Sequence, residues 1–261
     1  PAPGGKLIPN LDRKPLDGEW LTSLLEPNGS LSKSLPTFEH RPGQISMLRT
    51  VAEAMNNNKR LIVEAGTGTG KSIAYLLPAI FFALQNNAPI VISTNTINLQ
   101  EQLMNKDIPD LLRALNLSVD LRVCQLKGRT NYLCLRRWNS LRQSPGLSRE
   151  EVKLFLRILV WLSSTTCGDR AEFKLTVSEF PIWNKICAHE DSCVAEKCVY
   201  QQRGECLFYR ARHEAGKAHL LVVNHALLLS DAVAGRKILP SYSHLIIDEA
   251  HHLEEESTDR V

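Results

Sequence analysis

The protein has 261 residues, of which 43% are hydrophobic and 23% charged, proportions that are ordinary for a folded globular protein and exclude a disordered one. Because 31 basic residues nearly balance 28 acidic ones, the formal net charge is only +3, and any sign of a nucleic-acid partner must come from local patches. The sequence has no run of about 18 uncharged apolar residues and no basic-then-apolar signal pattern. We therefore expect a cytoplasmic protein with no membrane partner.

Apolar patterning predicts alternating strands and helices along most of the chain. Residues 1–36 are rich in Pro, Gly and Ser and are interpreted as a linker with at most one short helix, near residues 20–25. Helical spacing predicts helices at residues 46–57, 71–84 and 97–115. Pro109 is expected to kink or split the third helix because proline has no N–H. Short apolar runs predict strands at residues 61–63, 89–93, 119–126, 220–223 and 245–247.

The order of these elements predicts an α/β fold. Strands that alternate with helices of ten or more residues form a parallel sheet with helices on both faces. Residues 128–215 interrupt this alternation, because they hold several helical stretches, most of the cysteines and few strand-like runs. We interpret them as an inserted, mainly helical subdomain. The predicted organisation is a linker (1–36), a core domain in two parts (37–127 and 216–261) and the insertion (128–215).

The sequence AGTGTGKS at residues 65–72 has the pattern of a phosphate-binding loop. Its glycines allow the backbone to curl so that several N–H groups face one anion. Lys71 can reach the β- and γ-phosphates and the Ser72 hydroxyl can bind Mg²⁺, while the N-terminus of the following helix favours phosphate. The alternative is a glycine-rich turn that binds nothing. The predicted nucleotide-binding residues of the loop are Ala65, Gly66, Thr67, Gly68, Thr69, Gly70, Lys71 and Ser72.

An acidic motif follows the last predicted strand, where Asp248 and Glu249 open the sequence DEAH. At the end of a parallel strand beside a phosphate loop, Asp248 would hold Mg²⁺ and Glu249 would polarise the attacking water. Alone, such a pair is more often a solvated helix start. Together with the loop, it predicts hydrolysis of a nucleoside triphosphate by positioning and electrostatics.

These motifs, with RPGQ (41–44), LKGRTNYLC (126–134) and VVNHALLL (222–229), resemble those of superfamily 2 DNA helicases, and more narrowly the iron–sulfur helicases of the DinG/XPD type. The resemblance implies a RecA-like P-loop fold, ATP and Mg²⁺ as cofactors, and 5′-to-3′ DNA unwinding. It implies that Arg41 and Gln44 contact adenine and that His251 couples hydrolysis to strand movement. From the residues alone, Arg41 and Gln44 are surface residues and His251 is a polar residue at a helix start.

The same resemblance implies that single-stranded DNA and DNA junctions are the partners. It maps segment 93–96, with Gln102, to a contact with the backbone of a single strand. On local grounds Asn95 or Thr96 is a helix N-cap, and both interpretations can hold at once.

A basic stretch, residues 121–142, contains no acidic residue and interleaves Tyr132 and Trp138 with its cations. Phosphate neutralisation combined with base stacking is what a path for single-stranded DNA requires. The alternative is a solvated helix face with one core aromatic. The basic residues are Arg122, Lys127, Arg129, Arg136, Arg137 and Arg142.

Four of the seven cysteines are candidate ligands of a metal centre: Cys134, Cys193, Cys198 and Cys206. Their irregular spacing, without a C-x2-C pair, suits a [4Fe–4S] cluster at least as well as structural zinc, and unrelated core cysteines are a third option. The resemblance implies the iron–sulfur cluster in the inserted subdomain. Cys124 is interpreted as a buried apolar residue, Cys167 and Cys187 have no assigned role, and a ligand swap with Cys187 stays open.

The resemblance also implies what lies beyond Val261. Helicases of this type continue with an arch-like insertion and a second motor domain, which supplies an arginine finger. We therefore interpret the chain as the ATP-binding portion of a monomeric helicase in DNA repair or replication, weak or inactive by itself. Two alternatives stay open: a module that binds nucleotide and single-stranded DNA without doing work, and a redox-sensing iron–sulfur protein that gates DNA binding.

Overall fold

The computed structural model describes residues 5–34, 39–66, 68–117 and 121–258. The chain divides into two compact units, of which the first comprises Pro1–Gln125 and Ala215–Val261 and the second comprises Leu126–Glu214. The second unit thus covers nearly the same residues as the predicted insertion, 128–215. Within the described ranges, no helix has both the length and the apolar character needed to cross a membrane.

The described residues form short helices around four strands. The α-helices, in chain order, are α1 (Gly18–Ser23), α2 (Ser30–Ser34), α3 (Pro42–Asn56), α4 (Lys71–Asn86), α5 (Ile97–Gln102), α6 (Ile108–Ala114), α7 (Leu135–Arg142), α8 (Arg149–Leu162), α9 (Phe180–Ile186), α10 (Val199–Gln202), α11 (Leu207–Ala215), α12 (His225–Val233) and α13 (Leu253–Thr258). The strands are β1 (Ile90–Thr94), β2 (Val123–Gln125), β3 (Leu220–Asn224) and β4 (His244–Ile247).

The first unit is built on a parallel sheet with the strand order β2-β3-β1-β4. β1 is paired on both sides, with Ile92 opposite Val222 of β3 and Ile246 of β4, and all five of its residues are buried. The parallel α/β fold is therefore confirmed, as are the strands predicted at 89–93, 220–223 and 245–247. β2 is shorter than the predicted 119–126, of which residues 119 and 120 lie outside the described ranges.

The prediction of a strand at residues 61–63 is wrong. These residues pair with none of the four strands, and the side chain of Ile62 is 98% exposed. An apolar run becomes a strand only where a neighbouring strand offers N–H and C=O partners. Residues 59–66, which lead into the phosphate loop and include its first two residues, therefore have no regular secondary structure.

Helix α4 lies in the centre of the core of the first unit. Its residues Leu76 and Ile80 are fully buried together with Ile92 of β1, and α3 packs along it. Burial of several large apolar side chains, each contributing about 1.5–3 kcal/mol, fixes the helix on the sheet. The N-terminus of α4 is Lys71, so the end of the phosphate loop is held by this core.

The N-terminal segment that we interpreted as a linker also packs into this core. Three leucines have no exposed surface: Leu21 of α1, Leu25 between the two helices, and Leu31 of α2. Asp17 caps α1 by accepting a hydrogen bond from the N–H of Trp20 over 3.0 Å. Residues 18–34 therefore contribute to the stability of the first unit.

The helix predicted at 97–115 is interrupted before Pro109. α5 passes into a π-helical turn, Leu103–Asp107, and then into α6. Because Pro109 has no N–H to donate to the preceding turn, the helical hydrogen bonding changes at this point. The predicted split is confirmed, and the π-helical turn is the form that it takes.

The second unit has its own core. Trp183 of α9 and Leu154 and Ile158 of α8 are fully buried in it. α8 begins with a capping box, in which the Ser148 hydroxyl accepts from the Glu151 N–H and the Glu151 carboxylate accepts from the Ser148 N–H. This unit contains only helices, turns and isolated bridges in the residues described, as predicted for the insertion.

Candidate functional site

The phosphate loop has the backbone conformation that its glycines allow. Gly68 and Gly70 have φ angles of +78° and +80°, in the left-handed region that disfavours residues with a Cβ. A Cβ on Gly70 would lie 2.1 Å from Nε2 of Gln44. The loop therefore requires glycine at position 70 for two independent reasons.

The other loop residues complete the turn that leads into α4. The Thr69 hydroxyl donates to the Gly66 carbonyl over 2.7 Å. Ala65, which precedes Gly66, is half-buried. Ser72 lies in the first turn of α4, the position from which its hydroxyl would meet a cation bound to phosphate. Thr67, also predicted to bind nucleotide, lies outside the described residues.

Arg41 and Gln44, at the start of α3, both contact the backbone of this loop. Gln44 is buried and its Nε2 donates to the Gly70 carbonyl over 2.9 Å. The Arg41 guanidinium donates to the Gly68 carbonyl and pairs with Glu39. The interpretation of Gln44 as a surface residue is therefore wrong, while the adenine contact stays a prediction.

The sheet brings the DEAH acids to the phosphate loop. Because β4 pairs with β1, the N–H of Asp248 donates to the Ser93 carbonyl over 2.8 Å, which holds the end of β4 at the carboxyl edge of the sheet. From there Glu249 Oε1 lies 3.0 Å from Lys71 Nζ. Asp248 Oδ2 accepts a hydrogen bond of 3.0 Å from the hydroxyl of Tyr75 on α4. The two motifs predicted from separate parts of the chain thus form one site.

These contacts shift the acid–base behaviour of the site. The hydrogen bond from Lys71 lowers the pKa of Glu249, so the carboxylate form is favoured. Burial, followed by the charge of Asp248, raises the pKa of Tyr75 well above its ordinary value of 10.0. Tyr75 therefore remains a phenol that donates to Asp248. The sequence motifs gave no indication of this role for Tyr75.

A third acid lies at the margin of the site. Asp107 ends the π-helical turn, and burial raises its pKa, with a hydrogen bond from Gln102 opposing the change. The Ser72 hydroxyl also interacts with Asp107. The π-helical turn thus places a carboxyl group close to the predicted Mg²⁺ ligand Ser72.

Among the residues that the structure describes, no group of three or more His, Cys, Asp or Glu side chains forms a metal site. A Mg²⁺ ion in a nucleotide site needs fewer protein ligands, because phosphates and waters fill most of its six positions. Ser72 and Asp248 are compatible with such a site.

His251 lies on the exposed side of the DEAH motif. Its Nε2 is 3.5 Å from Glu249 Oε2, and its ring packs on that of His252 with 4.1 Å between centroids. The contact with Glu249 connects it to the nucleotide site, and its coupling role stays a prediction.

His225 is a site residue that the sequence reasoning missed. It is fully buried at the start of α12, with Nδ1 at 2.8 Å from the Ser93 hydroxyl and Nε2 at 3.4 Å from the Glu249 carbonyl oxygen. Burial lowers its pKa. The only signal in the sequence was its place in the segment VVNHALLL, which carried the family resemblance without a role for any residue.

The segment predicted to contact single-stranded DNA has a buried and an accessible part. Ser93 and Thr94 are buried, and the Thr94 hydroxyl donates to the Thr96 carbonyl over 3.2 Å. Thr96 is the N-cap of α5, accepting from the Leu99 N–H over 3.2 Å, which confirms the capping prediction. Asn95 is half-buried and thus partly accessible.

The basic stretch 121–142 does not form an aromatic stacking surface. Tyr132 and Trp138 are buried in the second unit, so the prediction that they interleave with the cations to stack bases is wrong. Amphipathic helical spacing places aromatic residues on the core face as readily as on the surface. Lys127 is also buried, 2.7 Å from Asp169, whereas Arg136 and Arg142 are exposed.

The four candidate ligand cysteines all lie in the second unit, and all are free and half-buried. Cys134 precedes α7, Cys198 precedes α10 and Cys206 precedes α11. Burial raises the pKa of Cys206, and charge on Cys134 and Cys198 raises it further. Burial and then charge on Cys193 raise the pKa of Tyr209, which Cys206 also influences. Charges on Cys134 and Cys198 thus act on Cys206, whereas Cys193 is linked to Cys206 through Tyr209. In the described part of the chain these thiols are not assembled into a group that could hold a metal ion.

The remaining cysteines have other partners. Cys187 is buried, with its sulfur 3.2 Å from His189 Nε2. Cys167 donates to Glu172 over 2.6 Å, and burial together with this bond raises its pKa to about 12. Cys124 is half-buried in β2, less completely than predicted.

Comparison with known proteins agrees with this geometry. Residues 42–141 match the DEAD/DEAH box helicase family. The matched range includes the phosphate loop at residues 65–72. It is 40% identical over 235 residues to the ATP-dependent helicase DinG of Mycobacterium tuberculosis, covering 84% of this chain and 35% of that protein. It is 34% identical over 238 residues to the ATP-dependent DNA helicase YoaA of Escherichia coli, covering 89% of this chain and 36% of that protein.

A third relative has a different name. The chain is 35% identical over 235 residues to the 3′-5′ exonuclease DinG of Bacillus subtilis, covering 89% of this chain and 24% of that protein. The chain therefore spans about a quarter to a third of the length of these relatives. It is similar to DinG and YoaA proteins over most of its own length, in agreement with the resemblance drawn from its motifs.

Proposed function

We propose that this chain is the ATP-binding portion of an ATP-dependent DNA helicase. The observation that carries the proposal is the meeting of the two motifs, with Lys71 Nζ 3.0 Å from Glu249 Oε1. The site also has the two carboxylates, the glycine-rich loop and the helix N-terminus that phosphoryl transfer to water requires. The names of the M. tuberculosis and E. coli relatives support the assignment of ATP and DNA as substrates.

The residues have distinct roles in hydrolysis. The backbone of residues 65–72 and Lys71 bind the phosphates, and Lys71 must leave Glu249 to do so. Ser72 and Asp248 hold Mg²⁺, which would neutralise charge on the β- and γ-phosphates when bound. Glu249, released from Lys71, accepts a hydrogen bond from the attacking water and orients it. Arg41 and Gln44 lie at the edge of the loop, where adenine would be bound.

Nucleotide binding tests this proposal directly. Titration of the purified chain with a fluorescent ATP analogue and Mg²⁺ should show saturable binding. Lys71→Ala should weaken it about tenfold or more, which corresponds to about 1.4 kcal/mol. Lys59→Ala is the matched control, since Lys59 is an exposed lysine of the same unit that pairs with Glu53. Equal affinity in the two variants would reject Lys71 as the phosphate ligand.

The DNA-dependent part of the proposal is that the full-length protein, as a monomer, tracks single-stranded DNA in the 5′-to-3′ direction and opens junctions during repair or replication. Exposed Arg136 and Arg142, and the accessible Asn95 beside β1, support contact with a phosphate backbone. Strand displacement on forks with either a 5′ or a 3′ tail measures the polarity. The isolated chain should bind nucleotide without unwinding either fork.

We also propose that Cys134, Cys193, Cys198 and Cys206 hold a [4Fe–4S] cluster. The support is the presence in one unit of four free, half-buried thiols, of which Cys134 and Cys198 act electrostatically on Cys206; thiolates are the ligands that such a cluster needs. The cluster would supply a rigid link between the start of α7, the loop that contains Cys193, and the starts of α10 and α11. Each of these four parts of the second unit contributes one cysteine to the proposed cluster.

Iron and acid-labile sulfide analysis of anaerobically purified protein tests the cluster. About four irons and four sulfides per chain are expected, with loss in Cys198→Ser and retention in Cys124→Ser, whose sulfur lies in the first unit. Zinc without sulfide would assign the thiols to a different metal. Folded protein without metal would reject the site.

A further inference from the structure

His225 joins two parts of the nucleotide site that are far apart in sequence. Its imidazole lies between the Ser93 hydroxyl, at the carboxyl end of β1, and the carbonyl oxygen of Glu249, just after β4. No part of its surface is exposed. A buried imidazole with a partner on each nitrogen has a single orientation, so these contacts define its role.

The partners determine which nitrogen carries the proton. A carbonyl oxygen only accepts hydrogen bonds, so Nε2 must be protonated and must donate to Glu249. In the neutral ring Nδ1 then accepts, and the Ser93 hydroxyl is the donor. The chain of bonds runs in one direction, from Ser93 through His225 to the backbone of Glu249.

The backbone of Glu249 has a conformation that needs such support. Its φ angle is +54°, in the left-handed region that few residues other than glycine adopt without strain. In this structure the carboxylate of Glu249 is held by Lys71. When Lys71 turns to the phosphates, that restraint is lost, and the bond from His225 to the main chain remains.

Ser93 lies at a position where DNA can influence this chain of bonds. Its carbonyl accepts from the Asp248 N–H over 2.8 Å, and its hydroxyl donates to His225. The residues that follow it, Asn95 and Thr96, reach the surface at the start of α5. A displacement of this segment therefore acts on both acids. It acts on Asp248 through the hydrogen bond from its N–H to the Ser93 carbonyl, and on Glu249 through His225.

We propose that His225 is a positioning residue for ATP hydrolysis, which fixes the backbone of Glu249 to the carboxyl end of β1 and makes the orientation of the water-polarising carboxylate depend on the segment after β1. This inference rests on the proposed function. His225 is fully buried and bonds to Ser93 and to the backbone of Glu249, so we expect it to change the rate of hydrolysis and to leave nucleotide affinity unchanged.

Steady-state ATPase kinetics of the full-length protein, with and without single-stranded DNA, test the inference. His225→Phe keeps the ring and removes both hydrogen bonds. We expect kcat to fall roughly 10- to 100-fold, as misplacement of a reacting group by about 1 Å produces, with nucleotide Kd within about twofold and a smaller stimulation by DNA. His225→Gln, which can still donate and accept, should recover part of kcat. Ser93→Ala should lower kcat in the same direction by a smaller factor.

His219→Phe is the matched control. His219 is a buried histidine of the same unit, at the amino end of β3, and accepts from the Arg122 N–H over 3.1 Å, so its replacement reports the effect of removing a buried histidine at the opposite end of that strand from His225. If His225→Phe does not fold, His225→Gln and Ser93→Ala carry the test. Wild-type kcat and DNA stimulation in folded His225 and Ser93 variants would overturn the inference while leaving the helicase assignment intact. A wild-type protein that does not hydrolyse ATP would overturn both.

Discussion

Lys71 Nζ and Glu249 Oε1 are 3.0 Å apart, so the cation that we propose binds phosphate is paired with the carboxylate that we propose polarises water. Both side chains are about a quarter exposed, at 27% and 29%. A partly exposed pair of this kind contributes about 0.2–1 kcal/mol, which ATP and Mg²⁺ can readily replace. Nucleotide binding and release of the acid are therefore one event in this site.

Glu249→Gln should separate binding from hydrolysis. Removing the negative charge frees Lys71, so nucleotide affinity should stay equal or rise by up to about fivefold, the equivalent of a partly exposed ion pair. Hydrolysis by the full-length protein should fall about 10²- to 10⁴-fold because the general base is lost. Nucleotide titration and phosphate release measure the two effects. Glu255→Gln is the control, since among the contacts described that exposed acid pairs with His252 alone. Weaker nucleotide binding by Glu249→Gln than by wild type would contradict the prediction.

The same pair predicts a pH dependence of stability. Lys71 lowers the pKa of Glu249 below its ordinary value of 4.5, so the folded state binds fewer protons than the unfolded state near that pH. The stabilisation is complete above the ordinary value and is lost as pH falls through the lowered pKa. Urea unfolding between about pH 7 and about pH 3 should show a free-energy difference between wild type and Glu249→Gln that shrinks toward the acid end. A difference that grows with acidity would reverse the sign and reject the argument.

Gly70→Ala should abolish nucleotide binding with a modest loss of stability. Its Cβ would enter the space of Gln44 Nε2 at 2.1 Å, and the left-handed conformation disfavours alanine by about 1–2 kcal/mol. Gly146→Ala has the same backbone strain, with φ of +79° and no atom within 4 Å of the added Cβ. Equal nucleotide affinity in the two alanine variants would contradict the prediction, because it would show that nucleotide binding needs neither the left-handed backbone of Gly70 nor its close approach to Gln44.

Tyr75→Phe should weaken the binding of Mg²⁺ at the site. The phenol donates to Asp248, and its raised pKa keeps the bond in place up to at least its ordinary value of 10.0. Loss of a hydrogen bond to a charged group corresponds to about 1.5–3 kcal/mol. We expect a higher Mg²⁺ concentration for half-maximal nucleotide binding, while Tyr242→Phe, at a half-buried tyrosine of the same unit, should match wild type. An unchanged Mg²⁺ requirement would remove Tyr75 from the site.

The ion pair between Lys127 and Asp169 should dominate the stability of the second unit. Lys127 is 3% exposed and lies 2.7 Å from Asp169 Oδ2. Lys127→Met leaves a buried carboxylate without its cation and should destabilise by about 3–5 kcal/mol, whereas Lys127→Met with Asp169→Leu should recover most of that loss. Denaturant unfolding of the single and the double variant measures both changes in the free energy of unfolding. A double variant as unstable as the single one would show that the buried cation has further essential partners.

The nucleotide site was predictable because its chemistry is local in sequence. Left-handed glycines, a lysine and a helix start occupy consecutive residues, and two acids end one strand. Failures occurred where the decisive contact is distant. Residues 61–63 are apolar but have no strand to pair with, and the spacing around Tyr132 does not tell a core face from a surface.

His225 is a site residue that the sequence did not reveal, because its contacts are also distant in sequence. Its partners are Ser93, 132 positions earlier, and Glu249, 24 positions later. A histidine between a strand and a helix has no recognisable pattern by itself. Only the order of strands in the sheet, with β1 between β3 and β4, brings the three residues together.

The second unit occupies the connection between β2 and β3, two strands that are adjacent and parallel. Such neighbours need a crossover of only a dozen or so residues, and here residues 126–219 fill that place. Lys71, Tyr75, His225, Asp248 and Glu249 all belong to the first unit. The chain is thus modular in its topology: a helical module with its own core could be enlarged or exchanged at a single crossover without altering the register of any strand that builds the nucleotide site.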